Sequence, residues 1–233
     1  MRRDKNILVV DDEKNIRMTM VHALESSGYH VESAITGEEG LLMLKATPFD
    51  LVFLDLKMPG LDGIEVLRRT QQSWRTMRVV VITAHGTVDN AVEAMKLGAA
   101  DFIQKPFTPE EIRALAMSVL SPLPDSAQTV GYAACVSEAR RSIVENQLAT
   151  AIAYVRKAVG LDPTRPEAFN LLGVAVHLSG QRYKAQDYFR AAIVLCPTHR
   201  PAHENLDRSV GGGASGLHME LSLGAETERA GLR

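Results

Sequence analysis

The stretch DLVFLDLKMPGLDG, residues 50–63, carries an apolar run, Leu51, Val52, Phe53 and Leu54, and then stops on a carboxylate, Asp55. Four unbroken apolar residues read as a strand made for burial. A charge at its end is then expected where the strand leaves the core, and the surrounding sequence shows what kind of sheet it leaves.

The pattern repeats on both sides of this stretch. Strands are expected at Asn6–Val10, Tyr29–Ala34, Leu51–Leu54, Val79–Thr83 and Asp101–Ile103. Between them, Ile16, Met20, Ala23 and Leu24 share one helical face, as do Val88, Ala91, Val92 and Met95, and Ile112, Leu115, Ala116 and Val119. Thr36 with Glu39 and Thr108 with Glu111 have capping-box spacing, the second with Pro109 at the first helical position. Strict β/α alternation over residues 1–120 predicts an α/β domain, a parallel five-stranded sheet covered by helices on both faces.

A proline-bearing connector, Ser121-Pro122-Leu123-Pro124-Asp125-Ser126, breaks this pattern, and residues 121–131 read as a linker. From 132 to 210 the chain is all-helical in pattern and repeats itself. Ala151, Val155, Ala158, Leu161 and Pro163 recur as Ala185, Phe189, Ala192, Leu195 and Pro197, with the same spacing between members. Residues 211–233 open on GGGASG and read as a flexible glycine-rich tail, although Leu217, Met219, Leu221 and Leu223 alternate with polar residues as a short strand or docking peptide would.

The chain has 233 residues, 45% hydrophobic and 23% charged, with no apolar stretch near the ~20 residues a membrane span needs. Its start, MRRDKNILVV, lacks the long apolar run of a signal peptide, so a cytoplasmic protein is expected. Cys135 and Cys196 lack metal-ligand spacing and read as small buried residues of a reducing compartment. Residues 1–120 hold 14 Lys+Arg against 17 Asp+Glu, and the remainder 12 against 11. Neither half has the basic excess that phosphate-backbone binding exploits, which disfavours direct nucleic-acid contact.

In open α/β sheets, chemistry gathers beyond the carboxyl ends of the strands. Here Asp11 and Asp12 follow the first strand, Asp55 the third, Thr83 ends the fourth, and Lys105-Pro106 follows the fifth. Converging carboxylates repel, and the simplest remedy is a hard divalent cation with oxygen ligands, such as Mg²⁺. A carboxylate beside such a metal can accept a phosphoryl group as a nucleophile, with Thr83 and Lys105 each meeting a phosphoryl oxygen. No G-x-x-x-x-G-K-[ST] loop occurs, which argues against ATP as direct donor.

VVDDE at 9–13, DLKMPGLDG at 55–63, the TAHG turn at 83–86 and FIQKPF at 102–107 together resemble the receiver domain of two-component response regulators. The resemblance implies a flavodoxin-like, doubly wound sheet of order 2-1-3-4-5 and phosphorylation of Asp55 by a sensor histidine kinase or phosphotransfer protein. It implies Mg²⁺ held by Asp12, Asp55 and the backbone carbonyl of Lys57, with Asp11 acting mainly through water. Lys105-Pro106 would be a cis peptide. Thr83 and Phe102 would form the switch, Phe102 without a hydroxyl to contribute. Such a protein is a phospho-acceptor acting on itself, not an enzyme turning over an outside substrate.

In the second half, Phe169, Leu172, Gly173, Val176, Ala185, Phe189 and Pro197 resemble the tetratricopeptide repeat, with departures at the first aromatic and the tyrosine position. The preceding repeat is poorer, Cys135 and Glu138 standing for the aromatic and the leucine, and Pro201–Arg208 resembles the start of a capping unit. Two hairpins and a cap fall short of the ~3 repeats usually needed for independent stability. Packing against the receiver, self-association as a homodimer, or a bound partner is expected to make up the difference. The resemblance implies a groove for a protein partner. His177, within a well-matched repeat helix, reads as a packing or surface histidine and not as a phosphate carrier. Two rival functions are a phosphate sink without output and a transcription regulator acting through a partner. No helix-turn-helix pattern or basic recognition helix supports the second.

Overall fold

The computed structural model of the chain describes residues 5–74, 76–84, 88–122, 130–210 and 221–224. Five strands, β1 (Asn6–Val10), β2 (His30–Ala34), β3 (Leu51–Asp55), β4 (Arg78–Thr83) and β5 (Asp101–Gln104), form one sheet of order β2-β1-β3-β4-β5. Every neighbouring pair is parallel. Helices α1 (Lys14–Glu25), α2 (Gly37–Ala46), α3 (Gly63–Ser73) and α4 (Val88–Lys96) make the crossovers, and α5 (Pro109–Leu120) follows the last strand. The expected order and handful of strands are therefore met, with small corrections at the ends. β2 starts one residue later than the pattern suggested. β3 and β5 run one residue further, because the ladder continues through Asp55, paired with Ile82, and Gln104, paired with Thr83.

Side-chain alternation divides the strands between two buried faces. Ile7 and Val9, Leu51 and Phe53, Val80 and Ile82, and Ile103 pack with Met20 and Leu24 of α1 and with Ile112, Leu115, Ala116 and Val119 of α5. The intervening residues, among them Leu8, Val52, Leu54, Val81 and Phe102, are buried as well. Burial on both sides accounts for apolar runs that do not alternate with polar residues. The close fit at the end of β3 depends on Gly63: a Cβ there would meet the Asp55 carbonyl oxygen at 2.3 Å and Leu56 Cα at 2.6 Å. Only a glycine lets the start of α3 lie directly on the chain leaving β3.

The two capping signals differ in detail. Thr108 and Glu111 form the full reciprocal box at the start of α5, with Pro109 in the first turn. Thr36 accepts from the Glu39 amide, but the Glu39 carboxylate takes the amide of Ile35 instead of that of Thr36.

The chain divides into two units, Met1–Ser121 and Pro122–Arg233. In the second, α6 (Tyr132–Val144), α7 (Leu148–Leu161), α8 (Pro166–Leu178), α9 (Arg182–Leu195) and α10 (Arg200–Val210) follow one another. α8 and α9 begin and end in step with α6 and α7, so the sequence period is a period of helical hairpins. Phe169, Leu172, Gly173, Ala185 and Phe189 are all buried, and a Cβ on Gly173 would meet the Phe189 ring at 2.5 Å. Pro197 is exposed, two residues beyond the end of α9. Cys135, the departure from the aromatic, is nevertheless fully buried and α6 is a complete helix. Both hairpins turn through a left-handed residue, Asn146 at φ 58° and Gly180 at φ 90°. Cys135 and Cys196 are free thiols.

One expectation for the tail is corrected. Leu221–Gly224 is half-buried and hydrogen-bonded to α8 and α10, so this part of 211–233 is held; Leu217 and Met219 lie outside the described residues. Among the described residues no helix is long and apolar enough to cross a membrane.

Candidate functional site

The carboxyl edge of the sheet brings together what the sequence separates. β1 delivers Asp11 and Asp12, β3 delivers Asp55 as its last residue, β4 ends on Thr83, and Lys105 follows β5. Asp11, Asp55 and Thr83 are buried, while Asp12 is exposed. Asp11, Asp12 and Asp55 each offer a carboxylate oxygen, all within 4.8 Å of one another. Lys105 Nζ lies 2.6 Å from Asp55 Oδ2, 2.7 Å from Glu13 Oε1 and 2.9 Å from Asp11 Oδ2.

Backbone groups hold the acids in place. The amide of Lys57 donates to Asp55 Oδ1 at 2.9 Å and that of Glu13 to Asp11 Oδ1 at 2.8 Å. Arg17 of α1 donates to the carbonyls of Asp11 and Asp12, at 2.8 and 3.1 Å, fixing the turn after β1. Lys105 is set by its own amide, which donates to the Thr83 carbonyl at 2.8 Å, and the following Lys105-Pro106 peptide is cis. Phe102 is fully buried on β5, opposite Val81.

The electrostatics follow from burial and crowding. Desolvation pushes the Asp11 carboxyl up to about 6, even though Lys105 beside it pulls the other way. Burial acts to lower the Lys105 pKa, but the carboxylates of Asp55, Glu13 and Asp11 around the ammonium outweigh it and hold it above its ordinary value. One lysine thus faces three carboxylates, with Asp12 a fourth acid beside Asp11 and Asp55, and cannot neutralise them. Two like charges ~4 Å apart repel by about 4 kcal/mol at the effective dielectric typical of protein surfaces. Asp11 Oδ2 is moreover buried with no hydrogen-bond partner; its approach to Lys105 is an ion pair without hydrogen-bond direction. A hard cation with oxygen ligands answers both features, and the donor set fits Mg²⁺, which needs only a few carboxylates and keeps part of its water.

Glu13 and Arg17 are the site members that strand-end reasoning missed. Glu13 could have been suspected from its place directly after Asp11-Asp12, whereas nothing in spacing pairs Arg17 with two backbone carbonyls. His85 and Gly86 of the expected TAHG turn lie outside the described residues. His177 is half-buried with Nδ1 unpartnered, and burial lowers its pKa, which fits a neutral packing residue.

Comparison with known proteins bears on the first unit. Residues 7–117 match the family described as the response regulator receiver domain. The alginate biosynthesis transcriptional regulatory protein AlgB of Pseudomonas aeruginosa is 43% identical over 116 residues, 49% of this chain and 25% of that protein. The chain therefore spans about a quarter of the length of that relative. Sporulation initiation phosphotransferase F of Bacillus subtilis is 38% identical over 110 residues, 47% of this chain and 89% of that protein. The crystal structure of the receiver domain of NtrX from Brucella abortus, 35% identical, covers 49% of this chain and 97% of that one at a TM-score of 0.48.

Proposed function

Because the chain belongs to the response regulator receiver family through residues 7–117, we propose that it is a phosphorylation-controlled adaptor of a two-component relay. Asp55 accepts the phosphoryl group, and the helical unit passes that state on through protein contacts. The observation that carries this reading is the convergence of Asp11, Asp12 and Asp55 with Lys105 on one sheet edge.

In the transfer, the Asp55 carboxylate attacks phosphorus, an O–P bond forms, and the P–N bond of a phosphohistidine donor breaks, its electron pair returning to the ring nitrogen. Bound Mg²⁺ would supply charge neutralisation at the phosphoryl oxygens, held by Asp12, Asp55 and the Lys57 carbonyl with Asp11 acting mainly through water. The Lys57 amide orients Asp55 for attack. Lys105 leaves its contact with Asp55 to pair with a phosphoryl oxygen, and the Thr83 hydroxyl meets another. Movement of Thr83 and the buried Phe102 then alters the surface around α4, β5 and α5.

Phosphorylation adds ~1–3 charge-assisted hydrogen bonds, each worth about 1.5–3 kcal/mol. Complete reversal of a two-state balance needs about 5.5 kcal/mol. The switch therefore shifts populations and completes only at the upper end of that range.

The helical unit reads as tetratricopeptide-like. Support comes from hairpins that keep the sequence period, from the burial of Phe169, Leu172, Ala185 and Phe189, and from the seat of Gly173 on Phe189. Stacked hairpins offer a face for a peptide or helix, so the partner is a protein. A sensor histidine kinase or phosphotransfer protein supplies the phosphoryl group, and the chain acts on no other substrate.

Acetyl phosphate with Mg²⁺ should give one acid-stable, base-labile phosphoryl group per chain by intact mass, and Asp55→Asn should give none. Undiminished labelling of Asp55→Asn would overturn the site. A phosphorylated chain that binds no protein differently from the unphosphorylated one would replace the adaptor by a phosphate sink.

A further inference from the structure

In the helical unit two asparagines sit far from solvent, Asn170 of α8 at 1% exposure and Asn205 of α10 at 0%. Buried amides need partners. Asn205 Nδ2 donates to Asn170 Oδ1 at 2.9 Å, which locks the two together. Their remaining groups converge on one peptide residue, Ser222. Asn205 Oδ1 accepts from the Ser222 amide at 2.8 Å, and the Ser222 carbonyl accepts from Asn205 Nδ2 at 2.9 Å and from Asn170 Nδ2 at 3.1 Å. Arg140 of α6 adds a third point by donating Nε to the Leu223 carbonyl at 3.3 Å, while its other arm is fixed on Glu167 at 2.5 Å. Gly224, at φ 75°, ends the segment, and a Cβ built on it would come within 4.0 Å of Pro201 and Arg140.

Each of these hydrogen bonds from the helices reads main chain: one N–H and two C=O groups of a segment outside any helix or strand. That is the chemistry of a peptide site, where backbone hydrogen bonds supply affinity and alternate side chains supply choice. We propose that the face of α6, α8 and α10 carrying Arg140, Asn170 and Asn205 is such a site, and that Leu221–Gly224 of the same chain is its resident occupant. An outside Leu-x-Leu segment enters only as this one leaves. The inference rests on reading the helical unit as a protein-interaction module, and it adds that the module is closed by the chain itself.

The connection makes self-occupancy strong. Ten residues separate Val210 from Leu221, and a tether of that length holds a ligand at an effective concentration on the order of millimolar. A free peptide of equal intrinsic affinity sees only the fraction of molecules whose face is open, and its apparent affinity falls by that fraction.

The test uses the full chain and a labelled synthetic peptide of residues 219–226, MELSLGAE. In Ser222→Pro the amide that reaches Asn205 is gone, and the change lies outside every helix. The peptide should bind Ser222→Pro about fivefold more tightly than the unaltered chain, the equivalent of ~1 kcal/mol for one net hydrogen bond. Adding Asn205→Ala to Ser222→Pro should abolish that gain. Independently, the Ser222 amide of the unaltered chain should exchange with solvent more slowly than in the free peptide. Equal peptide affinity for both chains, or exchange of Ser222 at the free-peptide rate, overturns the proposal. Those results would leave phosphorylation-dependent partner binding untouched. Loss of that binding with the peptide pattern intact would overturn the adaptor reading alone.

Discussion

Two buried polar clusters, one in each unit, are satisfied in opposite ways. At the sheet edge, Asp11 Oδ2 is buried without a hydrogen bond and the acids outnumber the one lysine in contact with them. In the helical unit, Asn170 and Asn205 are as deeply buried, yet each is satisfied by the other and by Ser222. A shortfall of partners marks a site built for something arriving from outside; a full set marks a site already filled. The first is strained by charge and the second is at rest, so a metal ion without a phosphoryl group should be felt at the first alone.

Metal addition is the strongest way to break this contrast. Mg²⁺ at a hundred times its Kd should stabilise the receiver by about 2.7 kcal/mol, seen as slower exchange of the β1, β3 and β4 amides. Amides of α8 and α9 should not change. The double substitution Asp12→Asn with Asp55→Asn should remove the effect. Equal slowing in both units would mean that they do not respond separately and that the acids are not the cause.

The next effect concerns packing. Gly63→Ala places a methyl group against the Asp55 carbonyl oxygen at 2.3 Å, where only backbone can yield, and overpacking of this kind costs ~1–3 kcal/mol. Gly173→Ala meets a ring, that of Phe189 at 2.5 Å, which can turn, so its cost should be the smaller. Urea unfolding followed by segment-resolved exchange ranks the two. The reverse order would show the helical seam to be the stiffer contact.

How much of this could be read from sequence depends on whether the determinant is periodic or local. Alternation of β and α segments carried the parallel sheet with helices on both faces, whereas the order of its strands came with the resemblance to receiver domains. The position of each strand end then placed Asp11, Asp12, Asp55, Thr83 and Lys105 along the carboxyl edge. Glu13 reaching Lys105 and Arg17 reaching two carbonyls are matters of side-chain direction, on which spacing is silent. The helical boundaries followed from the repeat, but the asparagine pair did not. Asn170 and Asn205 are 35 residues apart, one position out of step with the hairpins, so a search for periodic pairs passes over them. Their partner, Leu-Ser-Leu-Gly, shows in sequence only within the alternation of Leu217, Met219, Leu221 and Leu223, which does not say where it docks.

The smallest test stays within the helical unit and asks whether its two hairpins are equivalent where sequence says they differ. Both turns need a left-handed residue, supplied by Asn146 in one and Gly180 in the other. A side chain in that conformation costs ~1–2 kcal/mol, except that asparagine tolerates it through local hydrogen bonding. Gly180→Ala should therefore lower stability by about 1 kcal/mol, and Gly180→Asn by only a part of that. Asn146→Gly should change little, because relief of the side chain is offset by the extra freedom glycine gives the unfolded chain. Thermal unfolding of the three variants decides it. If Asn146→Gly destabilised as much as Gly180→Ala, the asparagine would be holding its turn through its side chain, and the two hairpins would share a shape without sharing a cause.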